Sequence, residues 1–409
     1  MGHIEDRWFK EIEGPGEKKL RVKTKRYGIG LRYRVRYIAP DGNERSKSFP
    51  DRSKKAAEEF LNNVETDKSR GTYIDPRLGR QPFDQIAEAW VRTGRFDEST
   101  RYQVRLRVRA HLIPFFEKRA VNEIRPSLIR EWLLWLTRKG LAEGHRAVLF
   151  AHLSGILTAA VDDGLIVRNP CAAKSVKRPR QPARKVVPWA AERVFAVRAE
   201  LPARYRPIVD IGAGCGARQG EIFGLSPADF DFDGGWLHIR RQVKMVGSRM
   251  VFGLPKSDKE RRTPLSGSVA QVMRDYPELA VDVTLRWEDP EHGPLVTVPL
   301  VFTSPRGNAI NRFTFTNWTW RSALVRAGVT PSTETGMHAL RHFFASVLLD
   351  AGESIKAIAE WLGHSDPAFT LRTYTHLMKS SQGRAQSAVD AMFAGLDASD
   401  GPETARDDG

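Results

Sequence analysis

Residues Lys174 to Lys185, K-S-V-K-R-P-R-Q-P-A-R-K, carry a run of positive charge, two prolines and no apolar periodicity. Such a stretch has nothing to bury, so it reads as a linker, and the chain must fold as separate bodies on either side of it. The length of 409 residues agrees, being too long for one ordinary core and long enough for two or three domains. The predicted fold class is multidomain and mainly α with small β-sheets. Boundaries are expected at 1–80 for an N-terminal sheet-plus-helix module, 81–173 for an all-α domain and 174–187 for the basic linker. A mixed α+β domain is expected over 188–397, and a polar, acidic and disordered tail over 398–409.

Charge narrows the partner. A formal net charge of +16 exceeds what solubility requires and favours a polyanion, because each contacted phosphate releases condensed counterions. The linker, with Lys177, Arg178 and Arg180, is able to lie along a duplex. Cys171 and Cys215 lie far apart without C-x-x-C or Cys/His ligand spacing, so neither a disulfide framework nor a zinc site is indicated. No apolar run approaches a membrane span, and Met1 to Lys10 is charged with no signal-peptide core, so a cytoplasmic protein without a membrane partner is expected.

In the first module Leu31, Tyr33, Val35 and Tyr37 alternate with Arg32, Arg34 and Arg36, the period-2 pattern of a strand with one core face and one basic face, and the three arginines are read as DNA contacts. Pro40-Asp41-Gly42 supplies a turn, Arg45 to Phe49 a partner strand, and Ser53 a cap for a helix through Ala56, Phe60 and Leu61. From Pro82 to about Asn169 apolar residues recur at spacings of three and four, as at Ile86, Ala87, Trp90 and Val91, then Ile129, Trp132, Leu133 and Leu136. Arg101, Arg105, Arg107 and Arg109 are too many cations for a buried helix, so Arg105 and Arg109 are read as phosphate contacts. After Pro188 helices are expected over Ala191 to Arg198 and around Tyr205 to Gly212, and a strand over Leu237 to Val243. A hairpin is expected from Gln242 to Leu265, with helices containing Met337 to Ala351 and Ile355 to Leu362 beyond it.

Four separated segments of this last domain carry chemistry: G-A-R-Q-G-E at Gly216 to Glu221, P-K-S-D-K-E-R-R-T-P-L at Pro255 to Leu265, H-A-L-R at His338 to Arg341, and L-G-H at Leu362 to His364, followed by Tyr374. In-line attack on a phosphodiester needs charge on the non-bridging oxygens stabilised, a nucleophile, a base and an acid for the leaving oxygen. Arg218 and Arg341 are charged forks suited to two non-bridging oxygens, and His364 can donate a further hydrogen bond. Tyr374 is a nucleophile of the covalent class. His338, on the same helical face as Arg341, is expected to accept the tyrosine proton, and Glu221 to orient Arg218 by a salt link. His342 and His376 are expected to pack rather than react.

In order and local form these segments resemble the tyrosine recombinase family of phage integrases: the R-x-G-E box, a hairpin lysine, H-x-x-R, L-G-H, and T-x-x-x-Y-x-H at Thr370 to His376. Each box alone is common, whereas all of them in this order are not. The resemblance covers about Pro188 to Leu396, and the upstream modules look like arm-binding and core-binding domains. It implies a site-specific recombinase that cuts and rejoins DNA through a 3′-phosphotyrosyl intermediate to integrate or excise a mobile element, with no cofactor. It assigns Lys256 as the acid for the leaving 5′ oxygen, a choice over Lys259 that the residues alone do not make. The implied partners are double-stranded attachment sites, a homotetramer on DNA, and a directionality factor or host DNA-bending protein, in the nucleoid of a bacterial host. A type IB topoisomerase shares the catalytic groups, and an inactivated recombinase acting only as a DNA-binding protein is the rival from another class.

Overall fold

The computed structural model describes residues 2–13, 19–70, 73, 78–180, 186–256, 259–364 and 366–374, with 386, 389 and 390 besides. The chain divides into two units, Met1–Arg95 with Gln103–Pro182, and Phe96–Tyr102 with Ala183–Gly409.

In the first unit β1 (His3–Asp6), β4 (Tyr33–Ile38) and β5 (Glu44–Phe49) form an antiparallel sheet in the order β1-β4-β5, while β2 (Phe9–Glu13) pairs with β3 (Lys19–Lys23) in a separate hairpin. The predicted alternation holds from Tyr33 onward. Tyr33, Val35 and Tyr37 are buried against Ala57 and Val64 of α1 (Lys54–Ser69). Leu31 departs from expectation and is 42% exposed, because β1 ends at Asp6 opposite Tyr33 and the ladder stops there. Ser53 occupies the N-cap position of α1, but its side chain makes no capping bond. Strands β1 to β3 are short and charged, and no periodicity announced them.

The helical stretch follows as α2 (Phe83–Thr93), α3 (Glu98–Arg107), α4 (Ile113–Phe116), α5 (Pro126–Arg138) and α6 (Glu143–Asp162), with one π-helical turn at Val108–Leu112. Phe83, Val91, Phe116, Trp132, Leu136 and Leu153 are buried, and the Trp132 indole N–H donates to the His111 carbonyl at 2.9 Å. Lys177, Arg178 and Arg180 are exposed, and residues 181–185 of the linker lie outside the described residues.

The second unit contains α7 (Ala191–Ala199), α8 (Arg206–Cys215) and the one-turn α9 (Gln219–Ile222), then β6 (Phe230–Asp231), β7 (Trp236–Ile239), β8 (Gln242–Val246), β9 (Arg249–Gly253) and β10 (Arg261–Pro264). Next come α10 (Gly267–Arg274), β11 (Val281–Arg286), β12 (Leu295–Leu300), α11 (Arg312–Thr314), α12 (Arg321–Arg326), α13 (His338–Asp350), α14 (Ile355–Leu362) and α15 (Pro367–Tyr374). Its core gathers Ile208, Ile211, Leu237, Phe252, Leu300, Trp320 and Leu340.

Two expectations fail here. The stretch Leu237 to Val243 is not a single strand: Arg240 and Arg241 both turn onto the buried Asp229, at 3.1 and 2.6 Å, and break it into β7 and β8. The hairpin expected from Gln242 to Leu265 closes early, as β8 pairs with β9, while β10 returns to β7 in a sheet of order β10-β7-β6. The β11–β12 hairpin was not foreseen. The stretch Arg384 to Leu396, apart from Gln386, Val389 and Asp390, and the tail from Ala398 lie outside the described residues, as does His376. Among the described residues no helix is long and apolar enough to cross a membrane.

Candidate active site

The site begins with a glycine that has no substitute. α8 ends on Gly216 at φ 65°, a left-handed conformation, and a Cβ there would lie 2.4 Å from Phe344 and 2.9 Å from Leu362. This turn places Arg218 at the N-cap of α9 and Glu221 at its third position, where the Glu221 carboxylate accepts the Arg218 backbone N–H at 2.8 Å and its Nη1 at 2.9 Å. The expected salt link is present. Glu221 is fully buried and also accepts two bonds from Arg261, at 2.9 and 2.6 Å. Burial alone pushes its carboxyl up, but the hydrogen bonds and charge of Arg261, with the charge of Arg218, outweigh that and hold it at about 2.

Arg341 ties two other boxes together. From α13 its guanidinium donates to the Gly216 carbonyl at 2.8 Å and to the Leu362 carbonyl, and it is almost wholly buried. Burial, followed by the charge of Arg218, pushes it down to about 9, which still leaves it charged at neutral pH. α14 ends on Gly363, again left-handed at φ 65°, where a Cβ would lie 2.8 Å from the Arg261 side chain. Arg218 Nη2 donates to the Gly363 carbonyl at 3.4 Å, and Arg261 Nε to the Trp361 carbonyl at 2.9 Å. His364, next in sequence, has its Nδ1 2.7 Å from the Thr370 hydroxyl. Burial and the charges of Arg341 and Arg218 hold His364 at about 3.

Tyr374 closes α15 with its ring buried among Phe344, Ala345, Leu349, Ile358 and Leu362. Burial pushes its hydroxyl up to about 12 against the opposing charge of Arg341. The histidine expected to take its proton is not the one that lies beside it. The imidazole within hydrogen-bonding distance of Tyr374 is that of His342, with Nδ1 2.7 Å from the hydroxyl, whereas His338 packs edge-on against His342 at a centroid distance of 4.7 Å. His338 and His342 lie one helical turn apart on one face, so sequence spacing cannot choose between them. Both are held at about 4, His342 by burial and then Arg341, His338 by the protein packed around its inner side and then His342, Arg341 and Arg218.

Arg218, Arg341, His364, Glu221 and Tyr374 therefore come together. Lys256 does not join them directly: it is exposed on the loop after β9, though its charge reaches His338. The sequence reading missed Arg261, His342 and Thr370. Arg261 had a usable signal, since Arg261 and Thr263 alternate with exposed Arg262, and Thr263 is fully buried, its hydroxyl donating to the Cys215 carbonyl at 2.9 Å. Two guanidinium groups thus bond one carboxylate and a third feels its charge, and the surplus positive charge is what an anionic ligand would neutralise.

The arginines proposed for DNA contact elsewhere stand differently. Arg32 pairs with Asp6 and Asp51, both at 2.9 Å, and Arg36 with Glu5 and Glu44 at 3.3 and 3.2 Å, while Arg34 donates to the Ser46 hydroxyl. Arg109 is exposed and pairs with Glu88 at 2.7 Å, and Arg105 is half-buried.

Residues 190–381 match the model of the phage integrase family. An integrase/recombinase of Escherichia coli is 31% identical over 235 residues, covering 54% of this chain and 68% of that protein. The chain belongs to the phage integrase family. This recombinase is also 27% identical over 293 residues to a XerC-like tyrosine recombinase of Caldanaerobacter subterraneus subsp. tengcongensis, covering 67% of this chain and 72% of that one. A putative prophage phiRv2 integrase of Mycobacterium tuberculosis is 25% identical over 354 residues, 85% of this chain and 89% of its own. Among solved structures, the Tn1549 transposon integrase in complex with circular intermediate DNA superposes with a TM-score of 0.62 at 19% identity, over 75% of this chain and 98% of that one. A lambda integrase tetramer bound to a Holliday junction gives 0.55 at 14% identity, over 84% and 92%. Family membership makes the chain a site-specific recombinase that cleaves and rejoins DNA.

Proposed function

We propose that this recombinase integrates or excises a mobile element by attack of Tyr374 on a phosphodiester held by Arg218, Arg341 and His364. The observation that carries this reading is the grouping of Arg218 and Arg261 on the carboxylate of Glu221 with Arg341 near it, beside a tyrosine hydroxyl already bonded to an imidazole. The Tyr374 oxygen bonds to phosphorus as the bond to the 5′ oxygen breaks. The tyrosine proton passes to His342, and Lys256 gives a proton to the leaving oxygen, so the products are a 3′-phosphotyrosine and a 5′ hydroxyl. A second 5′ hydroxyl reverses these steps, the ester conserves the bond energy, and neither nucleotide nor metal is required. Burial pushes the Tyr374 hydroxyl up to about 12 and the His342 imidazole down to about 4, so passing the proton between them is uphill at rest.

Residues 1–80 act as the arm-binding module, 81–173 as the core-binding domain and 188–397 as the catalytic domain, with Arg34, Arg105, Lys177, Arg178 and Arg180 against the DNA backbone and a tetramer as the working assembly on two attachment sites. Mapping the DNA protected by the purified protein near its own gene tests this. An inverted-repeat core flanked by separate arm sites is expected, and protection without such an arrangement would overturn the integrase reading. On that core, Tyr374→Phe should bind as the parent does and form no covalent adduct.

A further inference from the structure

The chemistry above gives no part to the β11–β12 hairpin. One of its faces is explained, since Val283, Val298 and Leu300 pack into the core of the second unit. The turn between its strands is not. Trp287 forms a parallel bridge with Phe252 on the edge of β9 away from β8, and the Glu288 backbone N–H donates to the Phe252 carbonyl at 2.7 Å. Glu288 holds φ 59°, a left-handed conformation seldom adopted by side chains other than glycine, asparagine or aspartate, so surrounding contacts must keep it there. Its carboxylate lies 3.6 Å from the ammonium of Lys244 on β8. Farther along the turn, Arg249 of β9 donates to the Pro290 carbonyl at 3.2 Å and pairs with Glu291 at 2.8 Å.

The turn is itself stiff. Arg286 donates across it to the Gly293 carbonyl at 2.7 Å, and Asp289 accepts the backbone N–H groups of Glu291 and His292. What it grips is a two-stranded sheet, β8–β9, which packs Val243 and Phe252 into the core, and the turn adds a second hold along the end of β9. Lys256 follows three residues after β9 ends at Gly253. A Cβ at Gly253 would lie 2.2 Å from Cε of Lys244 and 3.4 Å from Cγ of Glu288, so this ion pair sits directly over the last residue before the lysine loop.

We propose that the turn of the β11–β12 hairpin is a brace that fixes the end of β9, and with it the reach of Lys256, which makes Glu288 a positioning residue for the acid of the leaving group. The proposal rests on the reading of Lys256 as that acid. A lysine stem is flexible, so the placement of its root limits how often the ammonium meets the 5′ oxygen, and displacements of about 1 Å can cost on the order of 100-fold.

The experiment uses the full-length chain and the core-site duplex found by protection mapping, made with the ordinary 5′ oxygen or with sulfur at the scissile bridging position. Sulfur leaves as a thiolate, with a pKa of roughly 8.5 if it resembles a cysteine thiol, and needs no acid. Lys256→Ala should cleave the oxygen substrate on the order of 10² to 10⁴-fold slower and recover on sulfur. Glu288→Gln keeps the shape and removes the charge, and Gly253→Ala displaces only the flexible end of Lys244, so both should fold. Each should slow the oxygen substrate by about 10-fold, recover on sulfur and bind DNA as the parent does. Adding Glu288→Gln to Lys256→Ala should cost nothing further, since both act through one group. Parent-like rates for both brace variants on oxygen, or equal losses on oxygen and sulfur, would overturn the brace. Failure of sulfur to restore Lys256→Ala would instead overturn the assignment of the acid, and the brace with it.

Discussion

Two arginine clusters in this molecule, one from a single strand region and one assembled from distant segments, differ in what surrounds them. On β4 and the residue before it, Arg32 and Arg36 each have two carboxylate partners, and Arg34 rests on a serine. In the catalytic pocket Arg218 and Arg261 share the one carboxylate of Glu221, and Arg341 has only the carbonyls of Gly216 and Leu362 as hydrogen-bond partners among the described residues. The first arrangement is locally neutral, and its carboxylates are open to solvent. The second is buried and carries surplus positive charge. Arginine density alone therefore says little about where an anion will bind, and the local balance of acids together with burial says much more.

The sharpest way to break this contrast is to remove one acid from each cluster. Glu221→Ala leaves Arg218 and Arg261 without their shared partner, and should lower unfolding stability by about 3 kcal/mol, the usual loss when a buried pair is split. Cleavage should fall with it by on the order of 100-fold as Arg218 loses its orientation. Asp51→Asn at the surface should leave the denaturation midpoint where it was. Equal losses at the two positions, read from denaturant titrations, would erase the distinction.

A smaller effect separates residues within the first cluster. Arg34 has a hydroxyl partner and Arg36 two carboxylates, so Arg34→Ala should reduce the salt slope of binding to arm-site DNA by about 1, and Arg36→Ala by less. Reversal of that order, measured as affinity against salt concentration, would mean that the carboxylates move aside when DNA arrives.

The smallest expected effect is in pH. His338, His342 and His364 are depressed to between about 3 and 4 in the folded protein, whereas an unfolded chain takes up these protons near 6.5. Their contribution to stability is thus fully present above about 6.5 and is lost as pH falls toward 4. The shifted groups of the N-terminal sheet include Asp6, Asp41 and Asp51, all lowered, which act only at more acid pH. Between pH 6.5 and 4.5 amide hydrogen exchange should accelerate in α13 and α14 before it does in β4, and His364→Asn should reduce that early change. Simultaneous loosening of both would contradict the assignment.

Most of the candidate site was legible because its boxes are local. Arg218 and Glu221 are three residues apart across the start of a single helical turn, and each glycine of the two tight turns stands beside the residue it serves. The alternation of Tyr33, Val35 and Tyr37 likewise needed nothing beyond strand geometry. Residues whose partners are distant were not legible in the same way. The bond from Arg261 to Glu221 spans 40 residues, and that from Thr370 to His364 depends on how α15 meets the end of α14.

The sequence by itself determined the helix that carries Arg341, the helix that ends just before His364, and the set of groups able to handle a phosphodiester, since these follow from periodicity, glycine placement and side-chain chemistry. Tertiary structure decided which histidine touches Tyr374, because His338 and His342 share a helical face and only the docking of α15 selects between them. It also decided where the predicted strand breaks, because Asp229 draws Arg240 and Arg241 out of a continuous strand. In both cases the deciding interaction joins segments that sequence spacing leaves free to meet or miss, and packing supplies the choice.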